Sequence, residues 1–205
     1  GDTIAHIGSL EGARAKTVID AAGLCVTPGF IDCHTHSELD LMVNRQHPCA
    51  VYSGVSTVVG GQCGVGFAPM APELFDLCLR THAGLFGDRR AHLAPWSSFS
   101  EFLSRLDGCA VNAAACVTHN AVRQAGAGLS AAPLTGGALE KAKDALDRAL
   151  CEGAAGFSIG LAYYPGGYAD ETELIELCRV AARHGAPLCV HLRPSLAGSS
   201  FDPLA

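Results

Sequence analysis

The sequence predicts an α/β fold with a parallel sheet, arranged as part of a (β/α)8 barrel of the TIM type. Three observations predict it. From Gly29 onward, short apolar and β-branched runs alternate with amphipathic helical stretches, and strands separated by helices build parallel sheets. Ligand-type side chains recur at the ends of three of these strands: His34 with His36, Cys63, and His191. The alternation alone allows a doubly wound sheet as well, but in a barrel every strand's carboxyl end faces one mouth, where such residues can converge. A whole barrel takes about 250 residues, so this 205-residue chain accounts for about five of the eight units.

Taken in order, residues 1–28 read as the end of a small N-terminal β-domain, with strands over 3–7, 17–19 and 24–26 and a turn at Gly8–Gly12. Residues 29–205 read as the first part of the barrel, truncated. Its first strand, Gly29–Asp32, runs into His34 and His36. Residues 47–53 are expected to be helical. Val55–Val59 is a β-branched run bounded by glycines, hence a strand. Pro72 suits a helix start, with Leu74, Phe75, Cys78 and Leu79 as its apolar face. Ser98 with Glu101 forms a capping-box pattern, and Phe99, Phe102, Leu103 and Leu106 continue at helical spacing up to Gly108. A strand is expected over Val111–Val117, a helix over Ala138–Cys151, a strand over Ala154–Ile159, a helix capped by Asp170, and a last strand from Pro187 to His191. Residues 195–205 read as loop.

Composition narrows the function. A net charge of −6 and a pI near 5.8 argue against a nucleic-acid partner, which calls for a basic patch. No apolar run reaches the roughly 18–20 residues of a membrane span, and no signal peptide is visible, so no membrane partner is expected. The 10 cysteines contain no C-x-x-C pair; most lie in apolar periodic segments, as small buried hydrophobes do. A reducing, cytoplasmic location fits them better than a disulfide framework.

The site chemistry starts from spacing. In a strand, His34 and His36 at i, i+2 present both imidazoles on one face. Imidazole and thiolate are ligands that suit zinc. The candidate metal ligands are therefore His34, His36, Cys63 and His191. Asp32 either orients a metal-bound histidine or caps the strand. Arg193 meets either a substrate carboxylate or a salt-bridge partner at the barrel mouth. His119 reads as structural, and Tyr163, Tyr164 and Tyr168 read as packing residues more than as a substrate pocket.

Five segments carry a family resemblance. Pro28-Gly-Phe-Ile-Asp-Cys-His-Thr-His36 is similar to the first-strand motif of the metal-dependent amidohydrolase superfamily. Gly54–Gly64 followed by Ala68-Pro69 resembles the segment that carries the metal-binding cysteine of N-acyl-D-amino-acid deacylases. Thr118–Arg123 and Gly156–Ala169 resemble their third- and fourth-strand elements, and His191-Leu-Arg193 their fifth-strand metal histidine. Gln62 stands where the family usually has Asn, Gly66 where Ser is common, and Pro194-Ser195 where a Glu is usual after the fifth-strand Arg.

The resemblance implies zinc-dependent hydrolysis of the amide bond of N-acyl-D-amino acids, a small-molecule substrate, to a D-amino acid and a carboxylate. It implies a tight zinc site on Cys63 and His191, completed by a histidine downstream, and a weaker second site on His34 and His36 with Cys63 bridging. The family's general-base aspartate would lie outside this chain, so the catalytic acid–base residue is unknown here and the fragment alone is expected to be inactive. Two other readings stand beside it: an amidohydrolase of cyclic amides, and a catalytically silent scaffold. The first is disfavoured because many such enzymes bridge two metals through a fourth-strand lysine, whereas the only lysines here are Lys16, Lys141 and Lys143, none at a strand's carboxyl end. The number of metals, the acyl group and the side chain accepted stay open.

Overall fold

Among the described residues six short strands form two three-stranded parallel sheets: β1 (Phe30–Asp32), β2 (Val55–Gly60) and β3 (Asn112–Ala115) in one, and β4 (Val117–Thr118), β5 (Phe157–Gly160) and β6 (Leu188–His191) in the other. The computed structural model describes residues 3–193, and the loop expected over 195–205 lies outside them. β1 pairs with β2 and β2 with β3, while β4 pairs with β5 and β5 with β6, all in parallel. β3 and β4 are one expected strand interrupted at Cys116. There the chain changes partner: the Cys116 N–H donates to Gly60 O and the Val117 N–H to Gly156 O, both at 3.0 Å. Strand order therefore follows chain order, with no reversal of the kind that marks the switch point of a doubly wound sheet.

The helices between strands are α1 (Glu38–Val43), α2 (Pro48–Tyr52), α3 (Phe75–Thr81), α4 (Ala83–Phe86), α5 (Phe99–Ser104), α6 (His119–Ala127), α7 (Gly136–Cys151) and α8 (Glu171–Arg183). Two caps form as the sequence predicts: Ser98 Oγ accepts from the Glu101 N–H at 3.1 Å, and Asp170 Oδ1 from the Glu173 N–H at 2.8 Å. The Glu101 carboxylate does not close the box on Ser98. It takes the Ser97 N–H instead, at 2.7 Å. On α7, Leu139, Ala142, Leu146 and Ala149 are buried at helical spacing and pack with Leu177, Val180 and Ala181 of α8 into one core. Trp96 joins the same core, its Nε1–H donating to Phe67 O at 2.6 Å.

The N-terminal segment departs from expectation. The strands expected over 3–7, 17–19 and 24–26 do not form, and Ile4, Ile7, Val18, Ile19, Leu24 and Val26 are exposed. A strand's N–H and C=O groups need a neighbouring strand, and none of the described strands pairs with these residues. α1, α4 and α6 were not expected. α6 follows β4 directly with no side-chain cap, which removes the usual start signal.

A buried ionic knot fixes the N-terminus of α6 to the start of α8. His119, Arg123 and Glu173 are each at most 1 % exposed. His119 Nε2 lies 2.9 Å from Glu173 Oε1, and Arg123 Nη1 lies 2.6 and 2.5 Å from the two carboxylate oxygens. The Leu134 N–H donates to Glu173 Oε2 at 2.8 Å, and Arg123 Nη2 to Ala132 O at 2.7 Å, so the loop before α7 is held as well. Burial pushes the Glu173 pKa up, but the bonds from His119, Leu134 and Arg123 outweigh it and hold the carboxyl below its ordinary 4.5. Burial holds the His119 imidazole below 6.5 despite its carboxylate partner.

Two outcomes follow from this knot. Arg123→Met leaves the Glu173 charge buried without its partner and should cost about 3–5 kcal/mol in urea unfolding; a loss under about 1 kcal/mol would show that the pair is not holding the fold. Because the folded His119 pKa is depressed, its contribution is in place above pH 6.5 and is lost as pH falls through the lowered value. His119→Gln should therefore flatten the dependence of stability on pH between 6.5 and that lowered value, and an unchanged slope against wild type would refute the assignment.

Candidate metal centre

The site is assembled from the ends of β1 and β2. Beyond β1, Asp32 Oδ1 accepts from the His34 N–H at 3.1 Å, and the Thr35 N–H donates to Val59 O at 3.1 Å, which lays the His34–His36 segment along β2. The two imidazoles then stand edge to face, with ring centroids 5.7 Å apart. Beyond β2, the Gly61–Gly64 turn is closed by the Val65 N–H donating to Gln62 O at 3.0 Å. Cys63 sits in this turn in the left-handed region at φ 57°, at a cost of about 1–3 kcal/mol for a residue with a Cβ. The turn packs straight onto β5: a Cβ on Gly160 would overlap Cys63 O, and one on Gly64 would overlap the Gly160 backbone. The result places Cys63 Sγ 3.2 Å from His34 Nε2, and brings one donor atom each of His34, His36 and Cys63 within 4.8 Å of one another.

These residues suit a cation. Burial, then the neighbouring His34 and His191, hold His36 below its ordinary pKa, so its ring is neutral and free to ligate. Its Nδ1 is buried with no hydrogen-bond partner. Burial pushes the Cys63 thiol up, so its ionisation needs a positive charge nearby, which a metal provides.

His191 stands at the end of β6, as the sequence predicts, close enough to affect His36 electrostatically. It is outside the compact three-residue group, and its ring packs edge-on against Tyr163 at 4.9 Å. Ser158, at the fourth-strand position where a bridging lysine would stand, is fully buried, and its Oγ accepts from the Gly64 N–H at 2.9 Å.

The open alternatives resolve as follows. Asp32 caps the strand end rather than touching an imidazole. Arg193 makes no salt bridge among the described residues: its guanidinium donates to Gly167 O at 2.6 Å and Ala169 O at 2.7 Å, tying down the loop after β5. Tyr164 O–H donates to Leu129 O, and Tyr168 packs on Tyr164. His119 is structural, in the knot described above. Among the described residues a second group, Asp147, Cys151 and His184, meets the same distance criterion. It lies outside the core, and Asp147 is already matched by His184 at 2.8 Å and Arg183 at 4.0 Å.

Two residues behind the site were not singled out from the sequence as site residues. Glu38, 2 % exposed, accepts from the Gly61 N–H, and burial pushes its carboxyl up to about 7. Gln62, also 2 % exposed, donates to Cys33 O at 3.0 Å. The available signal was an acid placed directly before the apolar pair Leu39 and Leu41, both buried.

Known proteins resemble this chain in sequence and fold. The chain is 36% identical over 199 residues to a D-aminoacylase from Alcaligenes xylosoxydans xylosoxydans, covering 94% of this chain and 39% of that one. Among solved structures, a D-aminoacylase with a binuclear metal centre superposes with a TM-score of 0.80 at 35% identity, over 95% of this chain and 40% of the other. An N-acyl-D-glutamate deacylase from Bordetella bronchiseptica, complexed with zinc and a phosphonate inhibitor, gives 0.77 at 35% identity, over 92% and 39%. The chain thus spans about two fifths of the length of these relatives. The family model described as amidohydrolase family matches residues 17–191, and on that match, with the histidines and the cysteine drawn together at the strand ends, the chain belongs to the amidohydrolase family.

Proposed function

We propose that this chain supplies the first part of the metal centre of a zinc-dependent deacylase, which hydrolyses the amide of an N-acyl-D-amino acid to the D-amino acid and a carboxylate. The observation that carries the reading is the Cys63 thiol held 3.2 Å from His34 while the fourth-strand position is filled by a buried serine. With no lysine there, Cys63 is the one anionic group in the three-residue cluster that can bridge two cations. His34 and His36 would hold one side of such a site, and His191, at the end of β6, is the candidate for the other. Relatives named for action on N-acyl-D-amino acids, one of them complexed with zinc, support the substrate class and the metal.

Zinc bound there would supply Lewis acidity to the scissile amide and lower the pKa of water from about 15.7 to near 7. The protein's own residues do the rest. His34 and His36 offer nitrogen donors, and Cys63 offers sulfur from a turn that Gly64 and Gly160 fix against β5. Tyr163 packs on His191 and sets its ring, and Arg193 anchors the Gly167–Ala169 stretch that follows. The proton transfer to the leaving amine belongs to a carboxylate beyond this chain. In the same reading, the strands from residue 29 onward are the opening units of a (β/α)8 barrel, and the segment before them belongs to a separate N-terminal unit. Strand order that follows chain order supports the barrel. Among the described residues no helix is long and apolar enough to cross a membrane.

The test is metal content and hydrolysis of N-acetyl-D- and N-acetyl-L-amino acids by the purified full-length protein, wild type and Cys63→Ala. The expected result is D-selective turnover with bound zinc in the wild type. In the variant, turnover should fall by at least about 100-fold and zinc should be lost. Unchanged metal and turnover in Cys63→Ala would reduce Cys63 to a core thiol. Zinc with no turnover of either enantiomer in the wild type would favour the silent scaffold.

A further inference from the structure

Cys63 occupies a backbone conformation that residues with a Cβ avoid, in a turn that reaches out from β2 toward His34. Something has to hold that turn in register with the histidine segment. Two side chains cross between the segments in opposite directions. From the histidine side, Glu38 comes back under the site, and its Oε1 accepts from the Gly61 N–H. From the cysteine side, Gln62 reaches out, and its Nε2 donates to Cys33 O at 3.0 Å, one residue before His34. Both side chains are 2 % exposed, so neither bond competes with bulk water. Glu38 Oε2 is buried without a partner. A group placed there for stability alone would be costly, because a buried polar atom left unpaired gives up its hydrogen bonds to water.

We infer that Glu38 and Gln62 are positioning residues for the metal centre: their crossed hydrogen bonds lock the Gly61–Cys63 turn to the Cys33–His36 segment, so that the thiol and the imidazoles meet one cation together. The inference rests on the proposed metal site and deepens it. Neither side chain touches the cation. Glu38 acts through the Gly61 peptide on Cys63, and Gln62 acts through the Cys33 carbonyl on His34. The pairing is reciprocal, so loss of one bond leaves the turn tied to the histidine segment by the other, and loss of both leaves the turn held only by its contacts to β5 and α6. The Thr35 N–H bond to Val59 O remains and keeps the histidine segment on β2, which separates positioning from folding.

The experiment uses the purified full-length protein with cobalt(II) in place of zinc, because sulfur-to-cobalt charge transfer reports thiolate ligation directly. Zinc affinity is measured in parallel by competition with a chromophoric chelator. Glu38→Ala should weaken zinc binding by about 10–100-fold and diminish the sulfur-to-cobalt band. Glu38→Gln keeps an acceptor for the Gly61 N–H and should stay within about 3-fold of wild type. Gln62→Ala should weaken binding in the same direction, and the double variant should lose more than either. Arg123→Met, which loosens the fold without removing either crossed bond, serves as the control for general destabilisation and should keep the band. Wild-type affinity and band in Glu38→Ala and Gln62→Ala would overturn the inference, as would a loss in Glu38→Gln as deep as in Glu38→Ala. If Arg123→Met loses the band to the same extent, the effect is one of fold stability and the inference fails. Absence of the band in the wild type would instead sink the metal-site reading itself, so the two failures are told apart.

Discussion

Parallel pairing is the constraint on which the rest depends. Because β1, β2, β5 and β6 run the same way, their carboxyl ends lie on one edge, and each strand can deliver a side chain to a common place without a specialised loop. His34 and His36 leave β1, Cys63 leaves β2, and His191 closes β6. The partner change at Cys116 keeps this edge continuous where the third strand would otherwise have to pair on both sides at the same residues. The sheet in turn needs its helices, and the buried Glu173 knot ties α6 to α8 so that β4 and β5 are braced from behind.

Much of this was legible in the sequence, and the part that was legible is local. The strand runs and the caps at Ser98 and Asp170 follow from branching, periodicity and short-range hydrogen bonding, and each appears within a few residues of its expected place. The three strand-end ligand positions follow from the same local logic. What the sequence could not show is what depends on distant partners. The apolar runs before residue 29 read as strands, but a strand exists only beside another, and the described strands offer them no neighbour. α6 has no side-chain cap, so its start is set by β4 and by the Glu173 carboxylate 50 residues away from Arg123. Arg193 could be read as an ion-pairing residue only until the two backbone carbonyls of the Gly167–Ala169 stretch were seen in front of it.

The site shows the same division. The ligand types were plain, whereas the reason they meet lies in contacts the spacing does not encode: the absence of a side chain on Gly160, the Ser158 hydroxyl on the Gly64 N–H, and the crossed bonds of Glu38 and Gln62. Local conformation and long-range packing agree at this turn, since both demand a tight, left-handed path between β2 and β5.

The left-handed conformation of Cys63 also limits what could replace it. At a φ of 57°, the residues that sit with least strain besides glycine are Asn and Asp, with His next, because their short polar side chains tolerate that region; β-branched residues do not. Of these, only Asp carries an anionic donor. In the proposed metal centre, exchange of the Cys63 donor by a single substitution therefore narrows to one carboxylate, which would shift the site from a soft donor toward the harder, oxygen-preferring metals. Backbone geometry, as much as the chemistry of sulfur, thus limits which donors can stand at this position.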